Sequence, residues 1–208
     1  CPAWSVMAKK LFPDFKPYIS MALTPMVLTG RLIKKEKPNA KVVFIGPCAA
    51  KKLEASRKSI RSDIDFVLTF EEVMGMFEAK GVDLEQLTIS EPLTEGTGSG
   101  RGFAVSGGVA QAVKDQILKD HPDMEVKIQA AEGLKNCKTM LMMAKAGRLN
   151  GYLLEGMACP GGCVAGAGTL QPVMKSSAAV KKYVNEADKK ISSESAYGEH
   201  LDLLTEHN

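Results

Sequence analysis

The residues that could do chemistry in this sequence are its cysteines. Cys159 and Cys163 lie four apart in residues 154–168, a stretch with five glycines that follows a short apolar run. Glycine lets backbone pass close to a bulky group and leaves N–H groups pointing at it. Thiolates beside such N–H groups suit a sulfur-rich, negatively charged metal cluster, because hydrogen bonds to the sulfurs stabilise its charge and tune its potential. Two thiolates are not a full ligand set, so the rest of the chain must supply partners. Cys1 and Cys48 share the same context: each of the four sits at a junction between elements, with Pro2, Pro47, Pro160 or Gly162 beside it. A 4Fe–4S cube needs four thiolates delivered from backbone that can curve around it. Buried thiols at tight turns are the plainer alternative, and the pattern alone leaves both open. Cys137 differs, falling mid-helix among Leu134, Met140 and Leu141, and reads as a structural thiol.

The elements that must position these residues alternate between strand and helix. Apolar spacing at Trp4, Met7, Ala8 and Leu11 predicts a first helix, and Pro13 and Pro17 a loop after it. Thr24 and Pro25 suit the cap and first turn of a second helix. Residues 41–45 form a β-branched run between Pro38 and Gly46 that predicts a buried strand, placing Cys48 just past its carboxyl end, where open α/β sheets put their sites. A helix follows over 49–56 and a strand over 63–68. Thr69 and Glu72 form a capping box for a helix that runs to about Lys80 and stops at Gly81. Residues 82–89 fit no single pattern, and 91–102 read as a glycine-rich loop. Ser106-Gly107-Gly108 opens another helix. A strand over 125–131, a helix over 134–146, a strand over 151–154 and a helix over 176–191 complete the series. This order predicts an α/β fold, with a mixed sheet or two smaller sheets flanked by helices.

Length and charge bound the function. The 208 residues suffice for one large domain or two lobes. Lys and Arg number 27 against 24 Asp and Glu, too even and too scattered to recruit nucleic acid. The apolar runs fall far short of the ~20 residues that span a bilayer, so no membrane partner is expected. An odd cysteine count without a secretory signal argues against a disulfide framework and for a cytoplasmic protein. His121, His200 and His207 are dispersed, which is unlike the ligand spacing of a zinc site. The chain opens on Cys1 without an initiator Met and is expected to be a piece of a longer protein.

Three cysteine motifs resemble, in order, the signatures of the iron-only (FeFe) hydrogenase catalytic domain. Cys1-Pro2-Ala3-Trp4 is similar to the end of the first, Pro47-Cys48-Ala49-Ala50-Lys51-Lys52-Leu53-Glu54 to the second, and Met157-Ala158-Cys159-Pro160-Gly161-Gly162-Cys163 to the third. Gly102-Phe103-Ala104-Val105-Ser106-Gly107-Gly108-Val109 is similar to a further family segment between them. The resemblance implies a two-lobed hydrogenase catalytic-domain-like fold (lobes at about 1–90 and 91–175, then a helical tail over 176–208) with the cluster in the cleft. It implies that Cys1, Cys48, Cys159 and Cys163 hold a 4Fe–4S cluster. Cys163 would also bridge to a diiron group carrying CO, cyanide and a dithiolate. By the same resemblance Lys51 donates to a cyanide ligand, Pro47, Ala49, Phe103 and Met157 line the diiron pocket, Glu54 lies near the site, and Ser20 falls on the proton path. Each has a plainer reading: a surface lysine, an i,i+3 partner for Lys51 in Glu54, a core Met and a core Phe. The implied partners are H2 and protons, an electron carrier such as ferredoxin or a fused signalling domain, and maturation proteins.

Two departures matter. Gly46 stands where the second signature usually has Met, which would open space beside the diiron site. Residues 166–172 carry two extra residues before Gln171-Pro172. These changes resemble the sensory subgroup of the family more than its fast members. Four readings therefore stay open: reversible H2 oxidation, a slow sensor with the same cofactor, a Narf-like iron–sulfur protein without the diiron group, and a phosphate-binding glycine loop at 95–102, which lacks the Gly-Lys-Ser/Thr ending. Without a cluster, the cysteine junctions are expected to be mobile for want of a ligand to organise them.

Overall fold

The computed structural model describes residues 1–91 and 93–198. In chain order the elements are α1 (Pro2–Leu11), α2 (Pro25–Glu36), β1 (Val43–Gly46), α3 (Ala50–Ala55), β2 (Phe66–Thr69), α4 (Phe70–Ala79), α5 (Gly98–Arg101), α6 (Gly108–Asp120), β3 (Lys127–Glu132), α7 (Leu134–Lys145), β4 (Tyr152–Met157) and α8 (Val173–Asn185). Each sheet is a parallel pair, β1 with β2 and β3 with β4. His200, His207 and the rest of the tail from residue 199 lie outside the described residues.

The chain divides into two compact units. One holds Cys1–Ser20, Glu95–Ala165 and the described residues from Pro172 onward; the other holds the described part of Met21–Thr94 together with Gly166–Gln171. Neither is a single run of sequence. Residues 1–20 belong with the later half of the chain, and six residues beyond Cys163 belong with the earlier half.

In the unit built on residues 21–94, α2 lays Met26 and Val27 against Leu23, Val42, Ile60 and Ile64. Thr24 caps α2 by position, yet its hydroxyl is buried and makes no cap bond. β1 and β2 pair from Val43↔Phe66 to Gly46↔Thr69. Phe44 and Val67 face the apolar cluster, whereas Val43, Ile45 and Phe66 are exposed. The strand expected to be buried is therefore covered on one face only, because successive side chains alternate and the cluster supplies one cover. Asp65 fixes the strand entry: its Oδ2 accepts from Lys34 Nζ at 2.7 Å and from the Val42 N–H at 2.8 Å. The capping box on α4 is present in both halves, Thr69 Oγ1 accepting from Glu72 N and Glu72 Oε2 from Thr69 N. Residues 82–89 make no strand; a 3-10 turn at Leu84–Gln86 opens on the side chain of Asp83.

In the other unit, α7 links β3 to β4, whose pairing runs from Lys127↔Tyr152 to Glu132↔Met157. β4 continues three residues past the predicted end at Leu154, taking Glu155, Gly156 and Met157 into the sheet. α1 and α7 meet over Ala8, Phe12 and Leu141. The segment read as a loop at 91–102 contains the short helix α5, opened by Thr97 Oγ1 accepting from Gly100 N. Arg101 places its guanidinium 3.9 Å from the centre of the Tyr183 ring and donates to the Tyr183 carbonyl, tying α5 to α8. α8 spans Val173–Asn185, both ends earlier than the predicted 176–191; Pro172 is itself its N-cap, with ψ of 140°.

Candidate metal centre

Cys48 lies past the carboxyl end of β1, as its sequence position predicts. Pro47 and Cys48 are half-buried and Ala49 is exposed in the turn that enters α3. The Cys48 carbonyl accepts from the Lys51 N–H at 3.2 Å, which folds the chain into the helix directly behind the thiol. Lys51 and Lys52 then diverge. Lys52 reaches an exposed Glu72, whose carboxyl it holds below the usual carboxylate range. Lys51 is largely buried and donates to the buried Glu54 carboxylate at 2.6 Å. The i,i+3 pair is formed, and the surface reading of Lys51 is excluded.

Gly46 does not open space. A Cβ on Gly46 would lie 2.7 Å from the Phe44 ring, so the aromatic side chain two residues back occupies the volume beside it. This corrects the expectation of a void at Gly46. Residues 166–171 pack against the same turn: Gly168 N–H donates to the Pro47 carbonyl at 2.9 Å, and Gly168 lies so close to the Thr69 side chain that no Cβ fits between them.

Cys1, Cys159, Cys163, Met157, Phe103 and the exposed Ser20 belong to the other unit. Cys1 is the N-cap of α1. One turn along, Trp4 packs its indole directly onto Gly156, where a Cβ would collide with Nε1. Trp4 thus brings the first motif to the end of β4, three residues before Cys159. Met157 is buried at the strand end, and its carbonyl accepts from the Gly133 N–H at 2.9 Å. Phe103 is half-buried in a 3-10 turn, Gly102–Ala104.

The turn between Cys159 and Cys163 is held by the protein itself. Gly161 and Gly162 take φ of +95° and +94°, which side-chain-bearing residues rarely adopt. Gly162 N–H donates to the Cys159 carbonyl at 3.0 Å, Gly161 N–H to the Glu132 carboxylate at 2.9 Å, and Ser106 N–H to the Gly161 carbonyl at 3.1 Å. A Cβ on Gly162 would lie 2.5 Å from Ser106 N. The partners that shape this junction are backbone groups and Glu132.

The five thiols sort by environment, and no disulfide joins any of them. Cys137 is fully buried, its Sγ donating to the Ala131 carbonyl at 3.3 Å and the Met157 carbonyl at 3.4 Å. Burial pushes its pKa up, so it stays a thiol. Cys1 is exposed, and Cys48, Cys159 and Cys163 are half-buried at turns and caps. That donor set, of exposed or half-buried cysteines at turns and caps, fits iron–sulfur ligation, and Cys137 does not. Three of the four belong to one unit and Cys48 to the other, and among the described residues no group of three His, Cys, Asp or Glu is arranged to hold a metal ion.

Comparison with known proteins gives these motifs a family. Residues 1–167 match the model of the iron only hydrogenase large subunit, C-terminal domain. The chain belongs to this family. Within the hydrogenase family, its relatives diverge in what they are named for. The chain is 31% identical over 215 residues to the periplasmic Fe hydrogenase large subunit of Nitratidesulfovibrio vulgaris, covering 84% of this chain and 51% of that protein. It is 29% identical over 218 residues to cytosolic iron-sulfur assembly component 3 of Rattus norvegicus, covering 82% of this chain and 46% of that one. The chain thus spans about half the length of the curated relatives it matches. An FeFe-hydrogenase structure from Chlamydomonas reinhardtii shares the fold, with a TM-score of 0.70 at 21% identity over 97% of this chain and 69% of that one. No helix among the described residues is long and apolar enough to cross a membrane.

Sequence reasoning missed two residues that hold backbone around the cysteine turn, Glu132 and Glu155. Each lies just past the end predicted for its strand, at 131 and at 154, and the structure takes both into the strands. Neighbours in sequence do not mark them: Glu132 lies 29 residues from Gly161, whose N–H it accepts, and Glu155 accepts from Gly107 and Ala110, 48 and 45 residues away.

Proposed function

We propose that this chain is a hydrogenase catalytic domain that oxidises H2 reversibly to protons and electrons, with Cys1, Cys48, Cys159 and Cys163 holding a 4Fe–4S cluster and Cys163 bridging to the diiron group. The observation that carries the proposal is the buried Lys51–Glu54 pair beside Cys48. A buried ammonium at that turn suits an anionic, cyanide-bearing group, because an ammonium held away from water offsets its charge.

When bound, the diiron group supplies the metal and the bridgehead base at which H2 is split. The chain's own part is binding and exclusion. The four thiolates anchor the cluster. Lys51 Nζ is oriented by its bond to Glu54 Oε2. Met157 and Phe103 contribute apolar walls that keep water from the reacting group, and Pro47 and Ala49 contribute backbone. Electrons would leave to a carrier such as ferredoxin or to a fused signalling domain, and maturation proteins would deliver the diiron group, in the cytoplasm.

The sensory version of this reading is supported by Gly46 and the lengthened 166–172 segment, which alter both sides of the Pro47 turn. The second reading is an iron–sulfur protein without the diiron group, supported by the relatives named as iron–sulfur assembly components. Infrared spectroscopy of anaerobically matured protein separates them. Bands in the CO and cyanide region that shift between argon and H2 are expected, and turnover assays then divide enzyme from sensor. A 4Fe–4S signal without those bands overturns the hydrogenase proposal in favour of the second reading.

A further inference from the structure

We propose that Glu155 is a positioning residue that holds the Cys159–Cys163 turn in the shape that presents its two thiolates. The proposal deepens the cluster-binding reading above and rests on it. Charged residues are rarely buried without partners, and Glu155 is only 7% exposed on a strand. Its partners explain the burial. Oε1 accepts from the Gly107 N–H at 2.6 Å, and Oε2 from the Ala110 N–H at 2.7 Å. Gly107 is the N-cap of α6 at φ +88° and has no side chain to cap with. Glu155, from β4, takes the place of that missing side chain and sits at the positive end of the helix.

The consequence reaches the cysteines through two consecutive amides. Ser106 N–H donates to the Gly161 carbonyl inside the cysteine turn, and Gly107 N–H donates to Glu155, four residues before Cys159. The strand end and the turn are thus fastened to neighbouring atoms of one backbone segment. Gly162 packs against the same segment, with Ser106 N, the Ala104 carbonyl and Val105 filling the space a Cβ would take. If the carboxylate lets go of Gly107, segment 102–108 is free to shift, and Ser106 and the close seat of Gly162 shift with it. In Glu155→Gln one amide oxygen remains to accept, while the NH2 faces the other N–H as a second donor. The variant therefore removes one of the two bonds and changes little volume.

The test is site-resolved alkylation of the cluster-free protein with iodoacetamide, read by mass spectrometry, in the parent, Glu155→Gln and Glu155→Asp. Cys48, in the other unit, is the internal control, and buried Cys137 reports whether the fold is intact. In Glu155→Gln the Cys159 and Cys163 rates relative to Cys48 are expected to change about tenfold with Cys137 still protected, which is the effect of losing roughly one charge-assisted hydrogen bond of local stability. Unchanged relative rates overturn the proposal. If Cys137 opens together with them, Glu155→Asp decides, because it keeps the charge on a shorter arm. A selective change there supports the clamp, and loss of Cys137 protection there too overturns it in favour of a general role in folding. None of these rates depends on a cluster being bound, so the outcome is separate from the infrared result on function.

Discussion

Lys51 and Glu54 form an ion pair 2.6 Å apart in which the carboxylate is 4% and the ammonium side chain 13% exposed. Such a pair is asymmetric in its energetics. Removing one partner strands a charge, while replacing both with apolar groups removes the desolvation cost along with the attraction. Glu54→Ala is expected to destabilise the cluster-free protein by about 3–5 kcal/mol in urea unfolding, and Lys51→Met with Glu54→Leu to recover most of that. In the matured protein the double variant should still lose the H2-dependent infrared shifts, since it has no ammonium to offer.

Trp4 lies on Gly156, with no room for a side chain between them. Gly156→Ala therefore forces the indole off the strand. A loss of about 1–3 kcal/mol is expected, the usual cost of overpacking. The emission of Trp4, the one tryptophan of the sequence, should shift as its buried Nε1 gains access to water, and the cluster content after reconstitution should fall because Cys1 follows Trp4.

Asp65 governs the acid limb of stability. Its bond from Lys34, then its bond from the Val42 amide, and further Lys41 hold its carboxyl far below the ordinary carboxylate value. A depressed folded-state pKa gives stability that is present above the unfolded value of about 3.9 and is lost as pH falls from there through the folded value. Urea midpoints measured from pH 6 down to pH 2 should fall steeply below about pH 4 in the parent. Asp65→Asn should begin less stable at pH 6 and show a shallower fall.

Phe44 and Gly46 share a face of β1, and the ring of one fills the space of the other. Gly46→Met alone is expected to destabilise the protein by displacing the ring. Phe44→Ala with Gly46→Met should be less destabilised than the two single effects predict when summed, because the new side chain enters the volume the ring vacates. Additive single effects, measured by urea unfolding, would show that the two positions do not compete.

The local signals were legible where one residue type has one physical use. Thr69 and Glu72 cap α4 as the box predicts, and Cys137 is the buried thiol that its place in an apolar helical face implies. The cysteine junctions fell at element ends for the same reason, since proline and glycine mark them. What stayed hidden depends on distant partners. Glu155 has no partner visible in the sequence until Gly107 and Ala110 are beside it, and β4, predicted to end at Leu154, runs on through Gly156, which Trp4 covers. The short helix α5 needed Thr97 as a cap within a run that composition marks as loop. The exposure of Val43, Ile45 and Phe66 was equally out of reach, because periodicity tells which residues share a face but not whether that face is covered.

The interleaving of the two units sets a timetable for synthesis. The first twenty residues leave the ribosome long before α7, on which Ala8 and Phe12 pack, and residues 21–94 wait for Gly166–Gln171 to close against Pro47 and Thr69. At roughly 5–20 residues per second, α1 spends several seconds without its partner helix, its apolar stripe open to chaperones or to other nascent chains. A ribosome-bound chain that ends before residue 166 therefore holds both units unfinished. Residues 166–171 complete the unit built on 21–94, and the described residues from Pro172 onward complete the other, so each unit is finished within the same few seconds.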